Sequence, residues 1–250
     1  SNWNTAQTVT VTGVNDDMDD GNITAAITLA VDDGNSHDSY DNVANVTVSF
    51  TNTDNDTAGI TIVQSDGSTV VEESTSSTDT FTVVLDSQPV SGNVFVQVTS
   101  SDTTEATITT TNGLGSVQFT QANWDTPQTV TVTGVADDID DGNVNTSITL
   151  SIIDGLSSNE YDPYPDQTLT TATTDDDDAS FSVTPAATTV TEGGTITVTI
   201  VLGAAPTSNV TIAISSSDTS ELTVSSVTIT FTPSNWSTNQ DVTLTGVDDS

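Results

Sequence analysis

Residues 129–143 read TVTVTGVADDIDDGN. Threonine and valine alternate with a period of two, the pattern of a half-buried strand with valine inward and threonine toward water. The run ends at Gly134 and passes into two aspartate pairs separated by Ile139. Residues 8–22 repeat it as TVTVTGVNDDMDDGN, and residues 241–250 as DVTLTGVDDS. A tryptophan precedes each copy: Trp3, Trp124 and Trp236, 121 and 112 residues apart. A period above about 100 residues indicates tandem domains rather than a solenoid, whose units run about 20–50 residues.

Other segments keep the same register. TVVEES, with Glu72, matches TVTEGG, with Glu192; SSDTTEATI, with Asp102, matches SSDTSELTV, with Asp218. TNTDNDTAGI (51–60) matches TTDDDDASF (173–181). The spacing predicts one complete unit over 58–177. Residues 1–57 are then the back part of a preceding unit and 178–250 the front part of a following one, as in an excerpt from a longer array. Every recognisable element is a strand rich in Val, Ile, Thr and Phe. The complete unit is expected to have strands over 59–71, 79–86, 93–100, 115–120, 128–135, 145–153 and 167–174. The fold class is all-β: tandem Ig-like β-sandwiches of about seven strands each.

Composition removes whole classes of function. The 250 residues include no Lys or Arg, 36 acids and one His, a formal charge of −36. Phosphate recognition and binding to anionic lipid both need basic side chains, so no nucleic-acid partner is expected. No apolar run is long enough to span a membrane. Cysteine is absent, which excludes disulfides and thiolate metal sites. The chain starts at Ser rather than Met and carries no signal peptide, as expected of a mature, processed or excerpted segment. These properties suit an extracellular or cell-surface setting. The lone His37 has no Ser or Cys partner signal that would make a triad. The acids recur unit by unit instead of forming one isolated pair, so the protein is not expected to be an enzyme.

The acids are placed, not scattered. Aspartate outnumbers glutamate 30 to 6 and gathers in runs. Two unit charges about 5 Å apart repel by roughly 0.8 kcal/mol even in water, so such runs oppose folding unless a cation sits among them. If successive strands alternate in direction, alternate connections share one end of the sandwich. That end receives Glu72 and Glu73, then Asp102 and Glu105, then Asp137, Asp138, Asp140 and Asp141, and finally Asp175, Asp176, Asp177 and Asp178. The matching positions are Asp16, Asp17, Asp19, Asp20, Asp54 and Asp56 before the complete unit, and Glu192, Asp218, Asp248 and Asp249 after it.

All of these are candidate metal ligands. Oxygen-only convergence suits Ca²⁺, which takes six to eight oxygens; Mg²⁺ prefers to keep its waters. Zinc lacks its usual ligands. An EF-hand does not fit, because Thr149 stands where the twelfth-position Glu of a loop starting at Asp138 would be.

The set of an early V-x-E, TFTP-x-NW (230–236), TVTVTGVADDIDDGN and TTDDDDA resembles the Calx-beta domain and related repeats of bacterial and archaeal surface proteins. The likeness covers essentially the whole chain. It implies a calcium cluster held by Glu72, Asp102, Asp137, Asp138 and members of the run Asp175 to Asp178. The family's Glu residues after the Asp pair are replaced here by Asp140-Asp141-Gly142-Asn143. The expected function is a structural module of a long surface, filament or adhesin protein, stiffened by calcium at its interdomain junctions. Its expected partners are calcium ions, neighbouring repeats of the same chain, and identical chains in a filament or lattice. The alternative is a carbohydrate- or ligand-binding adhesin domain using Trp124 and residues 154–162.

Overall fold

A computed structural model describes residues 2–74 and 76–249. β1 (Ile23–Leu29) and β2 (Val46–Asn52) form an antiparallel pair. The next nine strands make two facing sheets. One contains β3 (Ile60–Gln64), β5 (Thr78–Leu85), β9 (Gln128–Gly134) and β7 (Ala106–Thr110), in that spatial order. The other contains β4 (Thr69–Glu72), β11 (Gln167–Thr174), β10 (Val144–Ile152), β6 (Asn93–Ser100) and β8 (Ser116–Thr120). A second, thinner pair of sheets follows. β12 (Phe181–Pro185), β13 (Thr195–Leu202), β17 (Gln240–Gly246) and β15 (Leu222–Val224) face β14 (Val210–Ala213) and β16 (Thr228–Phe231). Among the described residues the only helices are single 3₁₀ turns, so the chain is all-β.

Period-two burial builds the larger core. Val130 and Val132 of β9 meet Phe81, Val83 and Leu85 of β5, and Val94, Val96, Phe119, Ile148 and Leu150 close it from the opposite sheet. The smaller core gathers Ile200, Leu202, Ile229, Phe231 and Val242. It is smaller because only two strands face its four-stranded sheet.

The structure departs from the sequence expectations in three places. The first strand is broken in two by a turn at Ser65–Gly67, where Asp66 and Gly67 take φ of 51° and 82°. β3 pairs with β5 in one sheet, and β4 runs parallel to β11 in the other. The second departure is β7, inside a stretch expected to be loop. It pairs with β9, and the following β8 pairs with β6. Gly113 and Gly115, at φ 68° and 69°, kink the chain between them. One strand therefore passes from sheet to sheet without reversing, and the end-of-sandwich placement of Asp102 and Glu105 survives.

The third departure concerns TVTVTGV itself. At 129–135 it forms most of β9, whose two edges are taken by β5 and β7. At 8–14 the same letters form no strand, and Val9 and Val11 remain 67% and 43% exposed. Alternation supplies a face to bury, while neighbouring strands supply the ladder.

Two positions carry predictions. A Cβ at Gly134 would collide with the backbone carbonyl of Glu72, and one at Gly246 with that of Thr191. Gly134→Ala is expected to destabilise by about 1–3 kcal/mol, whereas Gly155→Ala, with open space around it, should change little in the same denaturant titration. The hydroxyls of Thr146, Thr171 and Thr173 are buried without a hydrogen-bond partner. Because an unsatisfied buried hydroxyl costs about 1–3 kcal/mol, Thr171→Val should raise the denaturation midpoint.

Candidate metal centre

The β4–β11 ladder builds the centre. Thr174 pairs in register with Glu72, and one step further the Glu73 amide donates to the Thr174 carbonyl at 2.8 Å. Burial alternates along β4, with Thr69 and Val71 inward and Val70 and Glu72 outward. Glu73 therefore turns inward and is only 3% exposed. One carboxylate oxygen each from Glu73, Asp175 and Asp177 lie within 4.8 Å of one another.

The aspartate-rich loop after β9 closes over them. The Asp137 amide donates to Glu73 Oε1 at 3.1 Å, and the Ile139 amide to Asp137 Oδ1 at 2.7 Å. Gly142, at φ 78°, donates its amide to Asp175 Oδ2 at 2.6 Å. Asn143 Oδ1 accepts from the Asp175 amide at 3.1 Å, and Asp175 Oδ1 accepts from the Asp177 amide at 2.9 Å. The DGN at 141–143 thus locks the two acidic segments together through its backbone turn.

Charge is under-compensated at this end. Burial pushes the Glu73 carboxyl up to about 7; the Asp137 amide opposes the rise, and the charges of Asp137 and Asp175 add to it. Burial raises Asp177, with Asp176, Asp138 and Asp175 adding to the rise. Glu105 is raised by burial and then by Asp141, Asp102, Asp137 and Asp175. Asp175 alone among these is held low by a local network, led by the amides of Asp177 and Gly142. Asp177 Oδ2 is buried with no hydrogen-bond partner. An orphaned carboxylate oxygen beside two further carboxylates is a donor set that fits a hard divalent cation such as Ca²⁺, with backbone carbonyls and water completing the shell.

The remaining candidate residues fall at different distances from this group. Glu72 is exposed and outside it, and Asp102 Oδ1 accepts from the Thr104 amide and hydroxyl at 2.9 and 2.5 Å. Asp140 Oδ2 accepts from the Ala179 amide at 2.8 Å. Asp138 and Asp141 contribute charge to Asp177 and Glu105 respectively. Asp178 leads directly into the linker residue Ala179.

Near the start of the chain the same contacts recur: Gly21 amide to Asp54 Oδ2 at 2.6 Å, Asp56 amide to Asp54 Oδ1 at 2.8 Å, and Met18 amide to Asp16 Oδ1 at 3.1 Å. Asp56 is raised by burial and by Asp54, Asp17, Asp16 and Asp19, as Asp177 is by its neighbours. The Asp20 amide is used by the Met18 carbonyl at 3.0 Å. Towards the other end, Asp218 is taken by Ser220 as Asp102 is by Thr104. Gly193 occupies the counterpart of Glu73, beside Asp248, and Glu192, Asp248 and Asp249 are exposed. Among the described residues, Glu73, Asp175 and Asp177 are the one set of acids close enough to share an ion. His37 is exposed, and its Nδ1 accepts from the Ser39 amide at 3.2 Å.

No family model matches the chain, and no curated protein matches it. Among solved structures, CBD12 from CALX1.2 is similar at 16% identity and a TM-score of 0.31, covering 76% of this chain and 75% of that one. The calcium binding domain CBD12 of CALX1.1 gives 17% and 0.32, covering 76% of each chain. FdeC, an Escherichia coli adhesin, gives 14% and 0.29, covering 94% of this chain and 79% of that one. The class of this protein is defined by its own sheets: an all-β chain of sandwich architecture with an acidic end.

The raised Glu73 carboxyl carries a pH prediction. It holds its proton more tightly when folded than at its ordinary value of 4.5. Its stabilising contribution is therefore full below about pH 4.5 and lost as pH rises through about 7. In chelator, Tm should fall across that window, and Glu73→Gln should flatten the fall. Equal slopes in wild type and variant would show that Glu73 does not titrate there.

Proposed function

We propose that the chain is a structural module of a long extracellular surface or filament protein, stiffened by calcium at the junctions between successive sandwich units. The units are those of the sequence register, 58–177 flanked by the parts 1–57 and 178–250. The observation that carries this reading is the position of the Glu73, Asp175 and Asp177 group. Asp175 and Asp177 lie between the last strand of one pair of sheets, β11, and the first strand of the next, β12. In a chain with no Lys or Arg, no permanently cationic side chain neutralises them. Glu73, Asp137, Asp175 and Asp177 would form the inner ligand set, with Glu105, Asp138 and Asp141 as the surrounding charge. At the earlier junction Asp16, Asp54 and Asp56 repeat the amide contacts of the later one without forming a comparable close set among the described residues. Calcium supplies the missing positive charge and ties the linker to the sandwich end; without it the carboxylates repel.

The carbohydrate-binding alternative rests on Trp124 and residues 154–162. Trp124 packs against the larger core, and the buried Tyr161 hydroxyl is bonded to Ser87. No described helix is long and apolar enough to cross a membrane.

Thermal unfolding and small-angle scattering in Ca²⁺ and in chelator test the proposal. Extracellular calcium modules bind at about 10⁻⁴–10⁻³ M, and at ten times Kd each site adds about 1.4 kcal/mol. Tm should rise by several degrees with Ca²⁺, and the maximum dimension should lengthen. The double variant Glu73→Gln, Asp177→Asn should lose the Tm shift assigned to this centre. A wild-type chain indifferent to Ca²⁺ in both measurements overturns the calcium reading.

A further inference from the structure

We propose that the DDIDDGN loop is also a metal-independent clasp, whose centre docks onto the strand-end turn of the next unit and fixes the direction in which that unit leaves. This goes beyond the calcium reading and does not depend on it. The same contacts are made twice, at places in the chain more than a hundred residues apart. The Asp17 carbonyl accepts from the Gln88 amide at 2.6 Å, and the Asp138 carbonyl accepts from the Ala205 amide at 2.6 Å. Asp19 Oδ2 accepts from the Ala58 amide at 2.8 Å, and Asp140 Oδ2 from the Ala179 amide at 2.8 Å. Between each pair of aspartates stands an apolar residue. Met18 forms a parallel bridge with Gln88. Ile139 lines a cleft with Ala179, Phe181, Leu202, Ala204 and Pro206.

The receiving positions correspond as closely as the loops do. Gln88 and Ala205 each lie three residues after the last residue of a strand, Leu85 of β5 and Leu202 of β13, and each is followed by proline. Ala58 and Ala179 each lie two residues before the first residue of a strand, Ile60 of β3 and Phe181 of β12. The partner of the loop is therefore a defined surface: an outgoing strand-end turn with a free amide before proline, together with the amide of the linker alanine. An acidic loop with an apolar centre fits it because a carbonyl and a carboxylate meet two backbone donors while the side chain between them enters the cleft. The residues used here are the Asp138 carbonyl, the Ile139 side chain and the Asp140 carboxylate. Asp137, at the start of the loop, faces back toward Glu73.

The chain has no cysteine, so two introduced ones can be spin-labelled cleanly. Leu114→Cys and Val227→Cys suit this, since those side chains are 78% and 69% exposed on either side of the second junction. Distances between the labels are measured by pulsed electron paramagnetic resonance in the full chain, in chelator and in Ca²⁺. In chelator the wild-type distribution should be narrow. Ile139→Ser, and independently Ala205→Pro, which deletes the donor amide, should widen it at least twofold while circular dichroism retains the β signal. A wild-type distribution that is already broad in chelator overturns the clasp. So does an unchanged width in either folded variant. If Ca²⁺ alters nothing while Ile139→Ser widens the distribution, the clasp stands and the calcium reading fails. If Ca²⁺ narrows a broad wild-type distribution, the reverse holds.

Discussion

A chain with no basic side chain folds four acidic segments onto one end of a sandwich, and every other feature of that end follows from this constraint. With no Lys or Arg available, backbone amides are the main donors to these carboxylates, and the structure spends them systematically. Asp175 takes those of Gly142 and Asp177, Asp137 takes that of Ile139, and Asp140 takes that of Ala179. Where burial and neighbouring carboxylates outweigh the amides, carboxyls are raised instead, as at Glu73, Asp177 and Glu105. The acidic end is therefore ordered by hydrogen bonds yet left short of charge, a combination that favours a cation over a reshaped loop.

Much of this was legible in the sequence, because period-two alternation survives in every strand of the larger core and alternation of strand direction fixes which loops share an end. The sequence was ambiguous wherever a neighbour decides the outcome. TVTVTGV becomes β9 between β5 and β7 and remains without a ladder at 8–14. The turn at Asp66-Gly67 that splits the first strand, and the glycine kink that moves one strand between sheets, have local signals in Gly67, Gly113 and Gly115 that are easily read as ordinary loop.

For the site, the family likeness pointed to Glu72, while the burial alternation Thr69, Val71 points to Glu73. Both residues were candidates, and the structure groups Glu73 with Asp175 and Asp177. The division of labour inside DDIDDGN was not legible, since nothing in seven letters says which aspartate faces its own sandwich and which faces the next. That division gives the loop two faces with different chemistry: Asp137 and Gly142 point inward to an acidic group that lacks charge, while Ile139 and Asp140 point outward to amides and apolar side chains that lack nothing. On the two proposals made above, a single short loop would serve both the stability of one unit and the placement of another.

The parallel pairing of β4 with β11 has a consequence under load. The chain enters this sandwich at β3, crosses to the other sheet as β4 and leaves from the end of β11, and β4 and β11 run in the same direction. Tension applied along the chain pulls them past each other lengthwise, so the ladder resists in shear, with its hydrogen bonds strained together instead of opening one at a time from an end. The Glu73–Thr174 bond extends that ladder to the acidic end. An ion bridging Glu73 to Asp175 and Asp177 would rivet the two strands at the point where the pulling force enters.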